Sequence, residues 1–421
     1  MKLLIEWFGE STNFGVCDQM KIIIVDQYFW PDNFLVNDIA EEMVKRGHQV
    51  LVLTGLPDYS TGLVPDEFKH GKRRHEFHNG VEIIRVPIIA RHTGLMWRVF
   101  NYLSFFINSS VYARLHKFDA DVIFAYETAP ILMVNAGIIL KKKLHKPFFL
   151  YCLDIWPDQM KVWNVYENNP LFKITLKYSQ HAYGSADIVG ITSKPFKKYL
   201  VEVDKVDPDK IVYLPQHADE MNLKEAPVKM KDTVNFVFAG NIGQQQNVEC
   251  ILRAVSKMDN NLHFHVHIYG NGTSYEECRQ LANELNINNK VTFYGRVSKD
   301  VLNEAYPKMD AFLLTLRSEK EIGFTANTVP AKFQGYLSAG KPVIAAIDGG
   351  AKEIINEIKC GIAVPSGDAE GLANAMTDFV KNPVNYKDCG KRGKEYFESQ
   401  YRKGVVMDRI ENLLNSLAEV N

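Results

Sequence analysis

The sequence predicts an α/β protein made of two Rossmann-like domains, and three observations lead there. Short apolar runs alternate with amphipathic helical stripes through both halves of the chain, the pattern of parallel sheets with crossover helices. Each half opens on the same unit of buried strand, loop and helix, at Lys21 and again at Asn235. The 421 residues are too many for one core and, with 24 Phe and 19 Tyr, furnish two.

Composition narrows the function. A formal net charge of -1 and a pI near 6.9 give no basic footprint, so nucleic acid is not expected as a partner. The six cysteines (Cys17, Cys152, Cys250, Cys278, Cys360, Cys389) form no CxxC pair and read as reduced thiols of a cytoplasmic protein. Residues 1–19 lack a basic start and a long apolar run, so they read as an extension before Met20, not a signal peptide.

In chain order, Lys21 to Val25 is an apolar run bounded by polar residues, hence a buried parallel strand. Val36 to Gly47 carries a helical stripe ending at glycine, and Gln49 to Thr54 is the next strand. The loop between them, Gln27 to Phe34, falls at the carboxyl edge of the sheet, where ligands bind in such folds. It holds no glycine, so phosphate binding is not assigned to it; Asp32 or Asn33 acting at an acceptor, and plain aromatic packing, both remain open. Gly55 to His78 is long and irregular, and Val81 to Val86 is a strand.

Gly94 to Leu115 is rich in apolar and aromatic residues but broken by Asn101, Ser104 and Asn108, short of the ~20 apolar residues a membrane span needs. Two readings stand: an interfacial helix resting on an anionic membrane, and a core helix with an exposed edge. Asp121 to Ala125 and Pro147 to Leu153 are strands whose endings bring Glu127 and Asp154 to one sheet edge as candidate catalytic carboxylates. Asp158 has helix capping as its structural alternative. Asp187 to Thr192 closes this set of strands. The DPD at Asp207 to Asp209 sits in a turn without other hard ligands nearby and is rejected as a metal site.

The second half opens with the strand Asn235 to Ala239, the loop Gly240 to Asn247 and the helix Val248 to Lys257. Glycines there let backbone approach an anion that the helix start faces. His263, His265 and His267 alternate on one strand; a metal cluster is the lesser reading, and a strand packing Phe264, Val266 and Ile268 beneath a helix the greater. Val291 to Tyr294 leads to Arg296, and Ala311 to Leu316 leads to Arg317. Ala331 to Ala339 follows Pro330 and stops at Gly340, so it reads as a short helix with Lys332 in its first turn, facing a phosphate.

The run IGFTANTVPAKFQGYLSAGKPVIAA from Ile322, followed by DGGAKEIINEIKCGIAVPSGD from Asp348, resembles the donor-binding core of the family 4 retaining glycosyltransferases. The resemblance runs from Met20 through the chain and is nearest the branch that builds bacterial capsule and O-antigen chains, including L-fucosamine transferase-like enzymes. It implies the GT-B architecture, two Rossmann-like domains facing across a cleft. The implied division is 20–218 for an acceptor-side domain, 219–232 for a linker, 233–384 for the nucleotide-sugar domain and 385–421 for helices crossing back. It implies a nucleotide-sugar donor, probed first with UDP, a glycan or polyprenyl-linked acceptor, retention, no metal or other cofactor, and a peripheral membrane position through residues 94–115.

The resemblance also distributes roles. Gly240, Asn241, Gly243 and Gln246 stand at the donor diphosphate loop, although relatives usually carry arginine and lysine where this chain has Asn241 and Gln246. Two family glutamates correspond to Asn327 and Gly335, so the pocket is less negative. Lys332 is the first candidate to meet diphosphate charge, both as donor ligand and as catalytic cation, and Arg317 the second. Arg296 is placed near the base, Gln334 near ribose, and the amides around Thr328 and Val329 near the diphosphate. The competing readings are a UDP-sugar epimerase of the same fold and a degenerate scaffold.

Overall fold

The structure, a computed structural model, describes residues 19–128, 130–218, 220 and 233–419. The expected extension, apart from Gln19, and the expected linker, apart from Glu220, lie outside the described residues. The chain divides into two compact units, Met1–Leu214 with Met407–Asn421, and Pro215–Val406.

The first unit is built from β1 (Lys21–Val25), α1 (Leu35–Lys45), β2 (Gln49–Thr54), β3 (His75–His78), β4 (Val81–Arg85), α2 (Leu95–Leu115), β5 (Val122–Glu127), α3 (Asn135–Leu144), β6 (Phe148–Cys152), α4 (Pro170–Ser185), β7 (Ile188–Ile191), α5 (Phe196–Glu202) and β8 (Ile211–Tyr213). Its strands lie in the order β3-β4-β2-β1-β5-β6-β7-β8, parallel except for β3, which pairs antiparallel with β4. The central strands are continuous apolar runs because helices cover both faces: Ile22 to Val25 and Phe148 to Cys152 are buried residue by residue. The stretch expected to be irregular contains β3, an exposed edge strand whose sequence, HEFH, has no apolar face. Just before β8, the DPD turn behaves as a local cap, with Asp207 Oδ1 accepting the Asp209 N–H at 3.0 Å.

The second unit contains β9 (Val234–Ala239), α6 (Val248–Lys257), β10 (Phe264–Tyr269), α7 (Tyr275–Glu284), β11 (Val291–Gly295), α8 (Lys299–Ala305), β12 (Ala311–Thr315), α9 (Glu319–Ile322), α10 (Ala331–Ser338), β13 (Val343–Ala346), α11 (Gly349–Ile358), β14 (Gly361–Val364), α12 (Ala369–Lys381) and α13 (Cys389–Gln400). The sheet is wholly parallel, β11-β10-β9-β12-β13-β14. One face packs Phe236, Val266 and Ile268 against α6, α7 and α12. The other packs Val237, Phe312 and Leu314 against α10, α11 and α13. The histidines of β10 lie off the core as the alternation requires, and His267 is bonded through Nδ1 to Tyr294 and through Nε2 to Asn235. In both sheets the strand order reverses beside the first strand, which puts the loops after β1 and β9 at the topological switch points.

The last helix, α14 (Lys403–Glu419), is grouped with the first unit from Met407 onward. It is clasped there by Arg46, whose Nη1 lies 2.6 Å from Glu411 Oε2 and 2.8 Å from Asp408 Oδ1. His48 Nδ1 accepts the Met20 N–H at 3.2 Å, so its Nε2 carries the proton and donates to Glu411 Oε1 at 2.8 Å. Because Glu411 is mostly enclosed, Glu411→Ala leaves the buried His48 Nε2–H unmet, while Arg46 keeps Asp408, and is expected to cost about 2 kcal/mol. Chemical denaturation checks it; an unchanged midpoint would show the clasp contributes nothing.

Candidate active site

The donor-side geometry lies within the second unit. Tyr336 of α10 pins the end of β9: its hydroxyl accepts the Ala239 N–H at 2.9 Å and donates to the Ala239 carbonyl at 3.1 Å. The next residue, Gly240, has φ +148°. A Cβ there would stand 3.2 Å from both Cε and Nζ of Lys332, so glycine is what allows the lysine to lie against the loop. Lys332 Nζ is buried, has no hydrogen-bond partner among the described residues, and sits 4.1 Å from the Phe238 ring centroid. Burial pushes its ammonium down to about 7. The ring face offers a cation some attraction, but an ammonium without an acceptor is costly to enclose. The site therefore has the donor side of an ion pair built in and no acceptor for it among the described residues.

Gly240 and Asn241 line a cavity of about 800 Å³ together with Tyr269, Gly270, Asn271, Gly272, Thr273, Arg296, Val297 and Leu302. The structure thus brings together Lys332, Gly240, Asn241 and Arg296. Gly243 shapes the same loop: its N–H donates to Gln246 Oε1 at 3.1 Å, as does Asn241 Nδ2 at 3.1 Å. Gln246 accordingly acts on the loop's own amides.

Other candidates are engaged elsewhere. Arg317 Nε donates to the Gln244 carbonyl at 2.7 Å, Nη1 pairs with Glu321 at 2.7 Å, and Nη2 lies 3.8 Å from Glu249. Two carboxylates already answer its charge, so its observed work is bracing the 244–246 turn, not supplying a free cation for a diphosphate. Gln334 is buried and its amide donates to the Gln216 carbonyl at 3.1 Å, which ties α10 to the start of the unit instead of presenting the amide to the cavity. Asn327 Nδ2 donates to Glu319 at 3.0 Å. Thr328 lies in the loop before α10, and Val329 packs on the core beneath it.

In the first unit, Glu127 lies below the surface, and Asp154, half-buried, is near enough to act on its charge. Glu127 is fully buried and accepts the Tyr183 hydroxyl at 3.1 and 3.3 Å. Burial, reinforced by Asp154 and Asp204, pushes its carboxyl well above the usual carboxylate range. Burial alone lifts Asp154 to about 6. Enclosed as it is, Glu127 does not itself reach the surface. Asp158 pairs with Lys161 at 2.6 Å in the turn that follows.

The sequence reading missed a polar network at the carboxyl edge of the same sheet. Gln27 Nε2 donates to Asn101 Oδ1 at 2.6 Å; Asn101 Nδ2 donates to Asp58 Oδ2 at 2.8 Å, and that oxygen also accepts the Arg91 N–H at 2.7 Å. Asp32 accepts the Tyr59 N–H at 3.1 Å and the Ser60 N–H at 3.2 Å. Asp26 is wholly buried at the end of β1, with Oδ1 taken by the Tyr28 N–H and Thr128. The available signal was Asn101, a polar residue interrupting an apolar helix.

Comparison with known proteins fits this division. Residues 34–220 match the family described as Glycosyltransferase Family 4, and residues 219–396 match Glycosyl transferases group 1. A probable glycosyltransferase of Pseudomonas aeruginosa, WbjE, is 25% identical over 296 residues, 67% of this chain and 72% of that protein. Among solved structures, a sucrose-phosphate synthase from Thermosynechococcus elongatus has the same fold, with a TM-score of 0.72 at 16% identity over 96% of this chain and 100% of that one. Anabaena HepE, solved in complex with UDP, gives a TM-score of 0.68 at 15% identity over 94% and 100%.

Proposed function

This chain is a glycosyltransferase of the two-domain GT-B fold, and on that premise we propose that it transfers a sugar from a nucleoside-diphosphate sugar, of the UDP-N-acetylamino class, to a polyprenyl-diphosphate-linked glycan in the assembly of a bacterial capsule or O-antigen, with retention. The observation that carries the donor half is the enclosed, unpartnered amine of Lys332 beside Gly240. A dianionic diphosphate supplies what that amine lacks, and the loop glycines allow it to come close.

In the transfer, the bond from the sugar's anomeric carbon to the phosphate oxygen breaks and a bond to the acceptor hydroxyl oxygen forms. The hydroxyl proton passes to the departing phosphate, so no protein base is required. Lys332 stabilises the charge that grows on the leaving diphosphate, and does so without reorganising, since packing against Phe238 and Gly240 already fixes it. On the first unit, Asp154 is the carboxylate proposed to meet the acceptor. No metal is assigned a part. The acceptor reading also draws on α2, which exposes a run of apolar side chains. No helix among the described residues is long and apolar enough to cross a membrane, so the proposed contact is peripheral, on the cytoplasmic face.

The test is a thermal-shift and turnover panel with UDP-, GDP- and TDP-sugars, with and without a polyprenyl-diphosphate sugar. UDP at a hundred times its Kd is expected to stabilise by about 2.7 kcal/mol, and UDP release is expected to require the acceptor. Product formed without acceptor would move the reading to an epimerase. No nucleotide effect would overturn the donor assignment.

A further inference from the structure

We propose that Arg91, held among aromatic rings beside α2, binds the phosphate of an anionic amphiphile whose apolar chain lies along the exposed face of that helix. The inference rests on the lipid-linked acceptor proposed above and gives that acceptor a place on the first unit.

The guanidinium of Arg91 stands 4.5 Å from the Tyr59 ring centroid and 5.8 Å from that of Tyr28, with Nη1 3.4 Å from the Tyr28 hydroxyl. The rings brace one another, Tyr28 against Tyr59 at 5.0 Å and Phe34 against Tyr59 at 4.8 Å. Arg91 makes no ion pair with a carboxylate among the described residues. The acid in its surroundings, Asp58, is committed through Oδ2 to the Arg91 backbone N–H and to Asn101. A half-buried guanidinium fixed by aromatic faces, with its fork unspent, suits bidentate contact with a phosphate. Its position is set by strapping: Ile89 N–H donates to Ser104 Oγ at 2.9 Å and Asn101 Nδ2 to the Ile89 carbonyl at 2.7 Å, so the segment before Arg91 runs along the first half of α2.

That helix names the rest of the ligand. Leu95, Val99, Leu103, Ile107, Val111 and Leu115 recur every fourth residue and are all exposed, Ile107 by 55% and Leu115 by 75%. At ~1.5 Å per residue such a stripe is about 30 Å long. Advancing about 40° with each fourth residue, it winds round α2 as a ridge, and exposed apolar surface of that extent marks a binding surface. Between Arg91 and Phe118 there is no Asp or Glu, while Arg91, Arg98, Arg114 and Lys117 flank or punctuate the stripe. An apolar helix edged with cations and carrying no acid of its own complements an anionic lipid, with acyl or prenyl chain on the stripe and phosphate at Arg91; the acids facing it from other elements are Asp58 near Arg91 and Glu82 and Asp119 at the far end.

The test is calorimetric titration of the full chain with decyl phosphate, with decyl maltoside, both below micelle formation, and with inorganic phosphate. The wild type is expected to bind decyl phosphate about tenfold more tightly than decyl maltoside, the scale of one charge-assisted contact, and to show no binding of inorganic phosphate alone. Arg91→Gln is expected to erase that preference while leaving decyl maltoside unchanged, and Ile107→Glu to weaken both. Tyr59→Leu, which removes one wall but keeps the charge, is expected to reduce the preference and serves if Arg91→Gln fails to fold; a retained UDP thermal shift attests the fold. An undiminished preference for phosphate in the arginine variant would overturn the assignment alone. So would inorganic phosphate competing in the wild type and not in the variant, which would make this a free-phosphate site. A wild type that binds neither amphiphile would overturn the lipid-acceptor reading with it, while its UDP response would leave the donor half standing.

Discussion

Lys332→Ala is expected to lower kcat/KM about a hundredfold, the loss typical of one preorganised charge contact at a leaving group. Lys332→Met is expected to do the same and yet make the ligand-free protein more stable, by about 1–4 kcal/mol, because an apolar chain of similar length replaces an enclosed charge without a partner. The two effects have one cause. On the proposed function, the folding cost of the enclosed lysine is expected to be relieved when a diphosphate binds.

The same geometry fixes a pH dependence. The Lys332 ammonium has an ordinary value of 10.5 and, buried, one of about 7. Between those limits the unfolded chain holds a proton that the folded chain lacks, so this group makes the ligand-free protein more stable as pH rises from about 7 to 10.5, and its cost is full below 7. Nucleotide binding runs the other way. A bound diphosphate restores the charged form, so UDP affinity is expected to weaken by up to about tenfold per pH unit above 7. Near pH 8 close to one proton should be taken up per UDP bound, read by calorimetry in two buffers of different ionisation heat. Lys332→Met should lack that uptake, which separates it from titration of UDP itself. A methionine variant with wild-type turnover and wild-type proton uptake would remove Lys332 from the site.

Period made much of the fold legible. The alternation through Phe264, Val266 and Ile268 put those residues in the core, and the stripe from Val248 to Lys257 marked its helix, because burial on a parallel sheet demands both. The strand β3 was not legible because an edge strand needs no apolar side. At the site, Lys332 could be picked out from its place after Pro330, since a first helical turn faces outward along the axis. That it is enclosed and unpartnered could not, for that depends on Phe238 and Gly240, which arrive from another strand. Arg317 illustrates the converse. Sequence shows a cation after a strand; only the fold shows Glu321 and Glu249 already answering it. Likewise Asp58 lay in a stretch without periodicity, and its link to Asn101 and Arg91 is a product of two loops meeting the helix α2.

Gly270→Ala is expected to destabilise the protein by roughly 3 kcal/mol and to abolish the UDP thermal shift. Gly270 has φ +130°, and an added Cβ would stand 1.8 Å from the Gly240 carbonyl oxygen and 2.9 Å from its carbon. Neither strand can simply yield. The Gly240 N–H is bonded to the Tyr269 carbonyl at 3.0 Å and the Gly270 N–H to Gly295 at 2.8 Å, while β9 and β10 are in register up to Ala239 and Tyr269. The methyl group therefore either opens the end of the ladder or displaces Gly240, and Gly240 is the residue Lys332 lies against. Gly47→Ala separates this clash from the general cost of a side chain at positive φ. Gly47 has φ +97° with nothing within 4 Å of the added Cβ, so it should lose only about 1 kcal/mol and keep the full UDP response. Melting curves of both variants with and without UDP make the comparison. Equal losses in the two would mean that backbone conformation, and not the contact of the two strand ends, holds the phosphate loop in place.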